Sequence, residues 1–517
     1  MEGHDRPIGY AWLMEHFGLT AFPLSHESYI GARARLDTTK PGTVQEIFKP
    51  SYWPGDDPFD HLVFALKYDD FNLDILDQSL NRLGHDRVRA YVESQPNGRY
   101  ARQLGYMHEL LSGEQLKLAV AIGGAYVDLL DSKKYIVAAV PEKIARWHIN
   151  DNLLGSARFC PVVRRTPELD ALLAADITSR LETLRAQVEP TLFQRAVDYL
   201  YFKETRSSFD IEREIPTPDR EQRFVRALRD AGKAKAAEVL SESALAALQN
   251  LIVEPRYAQA GFRDWQNYVG ESMPGRAPIV HYVCPPGSMV RALMDGLLDC
   301  ASKTEGVHPV VRAALVSFGF VFIHPFEDGN GRIHRFLIHD FLGRDGLVPN
   351  GMVLPVSAYM LHHPQEYDRV LEAYSKPLRA ALSISIDDDE LLTINNPIDA
   401  SGSYRYPDLS NQVLYLLHAV EQTINTELTT EILFIRGYDV AKASMRDVVD
   451  MPNQRLDLLI KLLYQNKGIL AKNKRVLFKE ITDEELERIQ VAFAHAFADR
   501  LFEADGSVMH QAERQSG

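Results

Sequence analysis

Twelve consecutive residues carry the densest chemistry in this chain: His324-Pro325-Phe326-Glu327-Asp328-Gly329-Asn330-Gly331-Arg332-Ile333-His334-Arg335. Gly329, Asn330 and Gly331 precede an apolar, helix-like run. Glycines let backbone N–H groups converge, and a helix N-terminus favours negative charge, so this turn is suited to an anion. Arg332 and Arg335 stand three apart, on one helical face, and guanidinium forks match phosphate oxygens. Asp328 beside them suits Mg²⁺, which binds phosphates through one or two carboxylates and water. His324 ends another apolar run, and a neutral imidazole there could take a proton from a hydroxyl near neutral pH. Together these residues would bind a nucleoside triphosphate and pass part of it to a hydroxyl nucleophile. Singly, each has a plain structural explanation: a His-Pro helix end, a Gly-Asn-Gly turn, an Asp N-cap, two solvated arginines. Packing alone does not require all of them within twelve residues.

The flanking pattern shows what must hold these residues. Pro309 fits a first helical position, and 310–323 is apolar nearly all round, as a core helix is. Ile333, Phe336, Leu337 and Phe341 continue a helix that stops at Gly343 or Gly346, and 365–375 predicts another. The strongest strand or hairpin signal lies at 278–283, between Gly275 and Pro285-Pro286. Upstream, 170–188 predicts one helix, 192–203 a second and 221–253 two more. The polar stretch 205–214 falls between them, and Pro216 and Pro218 end any helix there. In the first 60 residues only a short helix at 12–17, closed by Gly18, is expected. Helical spacing follows at 62–83, with Gly84 as a stop, and at 104–111, and 134–140 is β-like. Asn395-Asn396-Pro397 and Ser401-Gly402-Ser403 read as a linker. Helices are then expected at 409–429, 444–449, 453–465 and 482–502, with Lys472 to Arg475 in a turn.

Length and composition bound the function. The 517 residues are enough for two to four domains, and 45% hydrophobic with 25% charged residues is an ordinary globular balance. No apolar run reaches the length of a membrane span and no secretory signal opens the chain, so a cytoplasmic protein without membrane attachment is expected. Three scattered cysteines, Cys160, Cys284 and Cys300, provide no disulfide framework. A net charge of −14 argues against broad nucleic-acid binding, leaving a local contact through the C-terminal region.

The stretch 324–335 resembles the signature of the Fic family, His-Pro-Phe-x-[Asp/Glu]-Gly-Asn-Gly-Arg-x-x-Arg, with every fixed position present. The resemblance implies a mainly α fold: a Fic-type helical core at 240–392 with a small β-hairpin flap. Around it stand an N-terminal accessory region at 1–165, a helical region at 166–239, and a C-terminal helical domain at 405–503, with a winged helix conceivable. It implies transfer of AMP from ATP, with Mg²⁺, to a Ser, Thr or Tyr hydroxyl of a protein, the enzyme itself included, and leaves a homodimer open. In that reading His324 is the base and Asp328 the Mg²⁺ ligand. Gly329, Asn330 and Gly331 cradle phosphate, Arg332 and Arg335 hold the β- and γ-phosphates, Tyr367 contacts nucleotide, and Phe326 is core. The segment 262–286 is similar to the region of the family's flap, with Ile279, Val280, His281 and Tyr282 as the edge that aligns a target by backbone pairing. Ser208 and Glu212 resemble the inhibitory motif [Ser/Thr]-x-x-x-Glu-[Gly/Asn], whose Glu pairs with the second arginine, here Arg335. Arg213 departs from that motif. The alternatives are removal of AMP with Glu212 orienting a water, a different donor such as UTP or a phosphocholine carrier, and a DNA-binding scaffold.

Overall fold

A helix with apolar side chains on every face needs protein on every side. Pro309–Ile323 is such a helix, with thirteen of its fifteen residues buried. Pro309 starts it at the position where a missing N–H costs nothing, and the His308 side chain accepts from Val310 N–H. Packed against it are Gly287–Lys303, the motif helix Asn330–Arg344 and Ser410–Gln422. These elements share one apolar core that runs from Ile136 to Ile435. The structure, a computed structural model, describes residues 5–38, 43–186, 188–271, 278–349, 351–387 and 391–498. It is mainly helical with small sheets.

The segment that touches the motif from upstream is helical for longer than expected. Pro190–Ile211 is one helix of 22 residues, running through the polar stretch where the sequence pattern showed a break. Its polar end is stable because it is buried against partners: Thr205, Ser207 and Ser208 are all buried. Glu204, also buried, pairs with His339 Nε2 at 2.6 Å and accepts from Ser357 N–H at 2.9 Å, fastening this helix to two neighbours. Earlier, the single helix expected at 170–188 is two, Pro167–Leu173 and Ile177–Ala186. Asp176 makes the break, because its carboxylate accepts from Ser179 N–H and starts the second helix. The stretch 221–253 holds three helices, since Ala236–Val239 adds a single turn between Pro218–Asp230 and Glu242–Ile252.

The N-terminal region is not purely helical. A four-stranded sheet has the order Arg6–Ile8, His26–Ile30, Val44–Phe48, Arg35–Asp37, with one parallel pairing. Strands of three to five residues are too short for an alternation pattern to stand out from loop. The expected strand at 134–140 is not one. Tyr135 makes an isolated bridge to Arg164, and Ile136 and Ala138 donate to the Val163 and Asn152 carbonyls. The strands nearby are Val127–Asp128, Glu142–Ile144 and Ile149–Asp151.

The polar stretch expected as a linker contains a buried joint. Ser401–Arg405 is a short helix whose Ser403 Oγ donates to Asp74 and whose Arg405 pairs with Asp77 at 2.7 Å. A Cβ at Gly402 would come 1.9 Å from Asp74 Oδ1, so a larger residue there would have to displace that carboxylate. A separate small core begins at Ala441. Among the described residues of 405–498 there is no strand, so the winged-helix alternative lacks its wing. Lys472–Phe478 is a 3₁₀ helix, and the acidic run after it caps Asp483–Ala496 through a Thr482/Glu485 capping box. Residue 502 lies outside the described residues. No described helix is long and apolar enough to cross a membrane.

Candidate active site

The last turn of a helix leaves carbonyls without intrahelical partners, and here each finds one. After Pro309–Ile323 the chain turns at His324 in a left-handed conformation, φ 52°. The Val321 carbonyl lies 3.2 Å from His324 Nδ1, and that of Phe322 accepts from the Tyr282 hydroxyl. The Ile323 and His324 carbonyls accept from the Arg263 guanidinium at 3.3 and 2.7 Å, and the Pro325 carbonyl accepts from Arg263 N–H. A carbonyl can only accept, so His324 Nδ1 carries the proton and Nε2 keeps a bare lone pair. Burial, and after it the nearby Arg263 charge, pushes the His324 pKa down to about 4. The imidazole is therefore neutral at pH 7, as a base must be.

Six residues join that helix to Asn330–Arg344. Asn330 closes the loop on itself: its Oδ1 accepts from Phe326 N–H and its Nδ2 donates to the Phe326 carbonyl. Its side chain thereby fixes the shape of the turn. Phe326 is fully buried, as expected. Gly329 caps the helix at φ 88°, and a Cβ there would press on Val253. A Cβ on Gly331 would meet Glu212 Oε1 at 2.2 Å. The Glu212 carboxylate thus lies in the space that Gly331 leaves open at the start of the helix, where an anion is favoured.

Both motif arginines are buried and both are held by acids from one upstream turn. Arg335 donates Nε to Ser208 Oγ and Nη2 to the Ser208 carbonyl, each at 2.8 Å, and Nη2 to Glu212 at 2.6 Å. Arg332 pairs with Glu214 and, at 2.8 Å, with Asp328. Glu214 also binds Arg220 at 2.5 Å, and Arg220 is itself fixed to the Ile252 carbonyl. The Phe209 ring lies beneath both Arg220 and Arg332, 5.5 and 5.3 Å from their guanidinium carbons. The acids are aimed by a helix terminus. Arg213 N–H bonds to the Asp210 carbonyl and Glu214 N–H to the Phe209 carbonyl, the Schellman pattern. That pattern needs a left-handed residue between Glu212 and Glu214. Arg213 fills it at φ 55°, where Gly or Asn is ordinarily found.

Tyr367 lies beside Arg335 and is buried. Burial pushes its hydroxyl up to about 12, against the opposing effect of Arg335, and its ring stacks near His334. In the flap, Tyr268–Glu271 pairs antiparallel with Ile279–Val283, with a register shift at Val269/Gly270. Ile279 and His281 are exposed and Val280 is half-buried, but Tyr282 is only 8% exposed. Tyr282 therefore anchors the strand to the helix end and offers no side chain to a target. Sequence reading missed Glu214, Arg220 and Arg263. Their signal was faint: an acid two residues past Glu212, and arginines with nothing local to mark them as buried.

Residues 239–342 match the Fic/DOC family. Over 92 residues the chain is 38% identical to a protein of Culex quinquefasciatus named protein adenylyltransferase Fic, covering 17% of this chain and 16% of that one. Over 60 residues it is 43% identical to a Nematostella vectensis protein of the same name, covering 12% and 14%. The chain thus spans about a sixth of the length of these relatives. Among solved structures, a Fic family protein of Desulfovibrio desulfuricans aligns with a TM-score of 0.37 at 18% identity, over 66% of this chain and 94% of that one. Residues 239–342 form a Fic/DOC family domain.

Proposed function

We propose that this chain is an auto-inhibited protein adenylyltransferase that moves AMP from ATP to a Ser, Thr or Tyr hydroxyl of a protein, itself included. The observation that carries the reading is the bare Nε2 of a neutral His324 beside a buried anion site with two guanidinium forks. The site suits a triphosphate: the cradle over Gly331 accepts a carboxylate already, and a phosphate oxygen is a similar acceptor. Arg332 and Arg335 would hold the β- and γ-phosphates. Asp328 would hold Mg²⁺, which when bound would neutralise phosphate charge alongside Arg332 and Arg335. His324 Nε2 takes the proton of the target hydroxyl as its oxygen bonds to the α-phosphorus. The bond from that phosphorus to the bridging oxygen breaks, and pyrophosphate leaves. The exposed edge of the flap at Ile279, Val280 and His281 would present the target strand.

The two acids supply the inhibition. Glu212 fills the cradle and claims Arg335, while Glu214 claims Arg332, so an incoming phosphate must displace both carboxylates. Incubation with ATP labelled on the α-phosphate tests the reading. Label is expected on the protein itself in a Glu212→Gly, Glu214→Gln variant with Mg²⁺, and not when His324→Ala is added. No label on the protein or on a lysate from the relieved variant would refute it.

A further inference from the structure

Arg263 is completely buried, yet among the described residues it has no carboxylate partner. A buried charge is costly unless its donors find partners, and here four guanidinium hydrogen bonds go to backbone carbonyls alone. Its Nε and Nη2 donate to the His324 and Ile323 carbonyls, and its own N–H holds the Pro325 carbonyl. From the same guanidinium, Nη1 reaches the Trp265 carbonyl at 2.6 Å and Nη2 the Pro285 carbonyl at 2.9 Å. Those last two are the roots of the flap: Trp265 precedes the strand Tyr268–Glu271, and Pro285 follows the strand Ile279–Val283. A second strut runs in parallel, from the Tyr282 hydroxyl to the Phe322 carbonyl.

We infer that Arg263 is the positioning residue of the base. It fixes the backbone of His324 to both roots of the flap, so the ring that takes the proton and the strand that presents the hydroxyl are held as one rigid unit. This rests on the adenylyltransfer reading for its chemistry, though not for its geometry. The left-handed turn at His324 is a conformation that L residues avoid, and it persists because its carbonyls are tied on both sides of the residue. Lysine cannot replace the arrangement: one ammonium cannot serve four carbonyls spread over two flap roots and a helix end. The positive charge has a second effect. It lies close enough to His324 to favour the neutral ring, after burial itself.

The test compares Arg263→Lys and Arg263→Gln in the Glu212→Gly, Glu214→Gln background. Self-labelling rates are measured against pH and ATP concentration, and the His324 imidazole is followed by NMR titration, assigned by its loss in His324→Ala. For Arg263→Lys, kcat is expected to fall on the order of 100-fold, as for a displacement of about 1 Å in a reacting group, with KM for ATP unchanged. Its acid limb should stay near 4. For Arg263→Gln the same loss is expected, and the midpoint of the ring should move up from about 4 by the part that the Arg263 charge contributes, while burial, the larger cause, still holds it below the ordinary value. Unchanged kcat in Arg263→Lys, or an unmoved midpoint in a folded Arg263→Gln, overturns the inference. Should Arg263→Gln fail to fold, Arg263→Lys decides alone by its split between kcat and KM. If no variant labels protein, the adenylyltransfer reading has failed, and the imidazole midpoint in the two variants still decides whether Arg263 acts on His324.

Discussion

Three of the largest fully buried side chains in this protein are arginines of one site, and they are neutralised in two different ways. Arg332 and Arg335 face carboxylates, Glu214 and Glu212, which reach in from one helix end and remain partly open to solvent. Arg263 faces only carbonyls of the backbone it holds together. The difference is one of exchangeability. A carboxylate on a guanidinium can give way to a phosphate, because the newcomer offers the same charge and the same lone pairs. A carbonyl at a helix end cannot leave without unwinding the helix. In the proposed reading, the phosphate side of the site is a switch and the base side a fixture.

Removing the base should break the fixture without touching the switch. His324→Ala in the Glu212→Gly, Glu214→Gln background is expected to lose about 10²–10⁴ in labelling rate, the usual contribution of a positioned base. ATP affinity, read by calorimetry, should stay the same. If affinity falls with the rate, the two sides are not independent. Next in size is the switch itself. A hydrogen bond to a charged group contributes about 1.5–3 kcal/mol, so each acid should restrain activity by roughly 10- to 100-fold. Glu212→Gly and Glu214→Gln are each expected to raise self-labelling, and the double variant to exceed either. Equal rates for Glu212→Gly and the double variant would reduce the switch to a single acid.

The two sides also differed in how far the sequence disclosed them. His324, Asp328, Arg332 and Arg335 announced themselves by type and spacing, and Glu212 by its place in a short motif. The helices around them followed from apolar periodicity. What stayed hidden depended on contacts far apart in the chain. Glu214 meets Arg332 across 118 residues, and Arg263 meets His324 across 61. No local pattern marks an arginine as buried, since burial is decided by what packs over it. Asn330 was legible as a turn residue, but its use inside the loop needed the position of Phe326. The N-terminal strands escaped because three to five residues cannot establish a period.

The pH profile sharpens the contrast on the base side. An ordinary histidine at 6.5 would be about 90% protonated at pH 5.5, and so idle as a base. His324, pushed down to about 4, should keep its rate nearly flat from pH 8 to 5.5 and lose it only as pH falls toward 4. The stability consequence has a definite sign. The folded ring binds fewer protons than the unfolded one between about 4 and 6.5, so its contribution is complete above 6.5 and declines as pH drops through that window. His334, pushed down to about 3 by burial, adds a loss of the same sign. Labelling rates at fixed saturating ATP would show the flat region. A midpoint near 6.5 would mean that the ring is open to water.

The smallest expected effect concerns the residue that aims the two acids. Arg213 is exposed and makes no ion pair among the described residues, so it does not draw Glu212 away from Arg335. Its departure from the family motif is instead conformational. At φ 55° it pays the cost that L residues incur in the left-handed region, about 1–2 kcal/mol, part of which glycine would avoid. Arg213→Gly is therefore expected to stabilise the closed form by about 1 kcal/mol. If the helix end keeps its Schellman bonds when phosphate displaces the acids, the gain is common to both states. The melting temperature then rises by about 1–2 °C and basal labelling stays put. If the end must unwind to release Glu212 and Glu214 together, the gain belongs to the closed state alone, and basal labelling falls about fivefold. Because the two acids flank the strained residue on either side, the second outcome is the one expected. Labelling of Arg213→Gly against the parent protein, with the melting curve of each, distinguishes a switch that opens by side-chain rotation from one that opens by unravelling its cap.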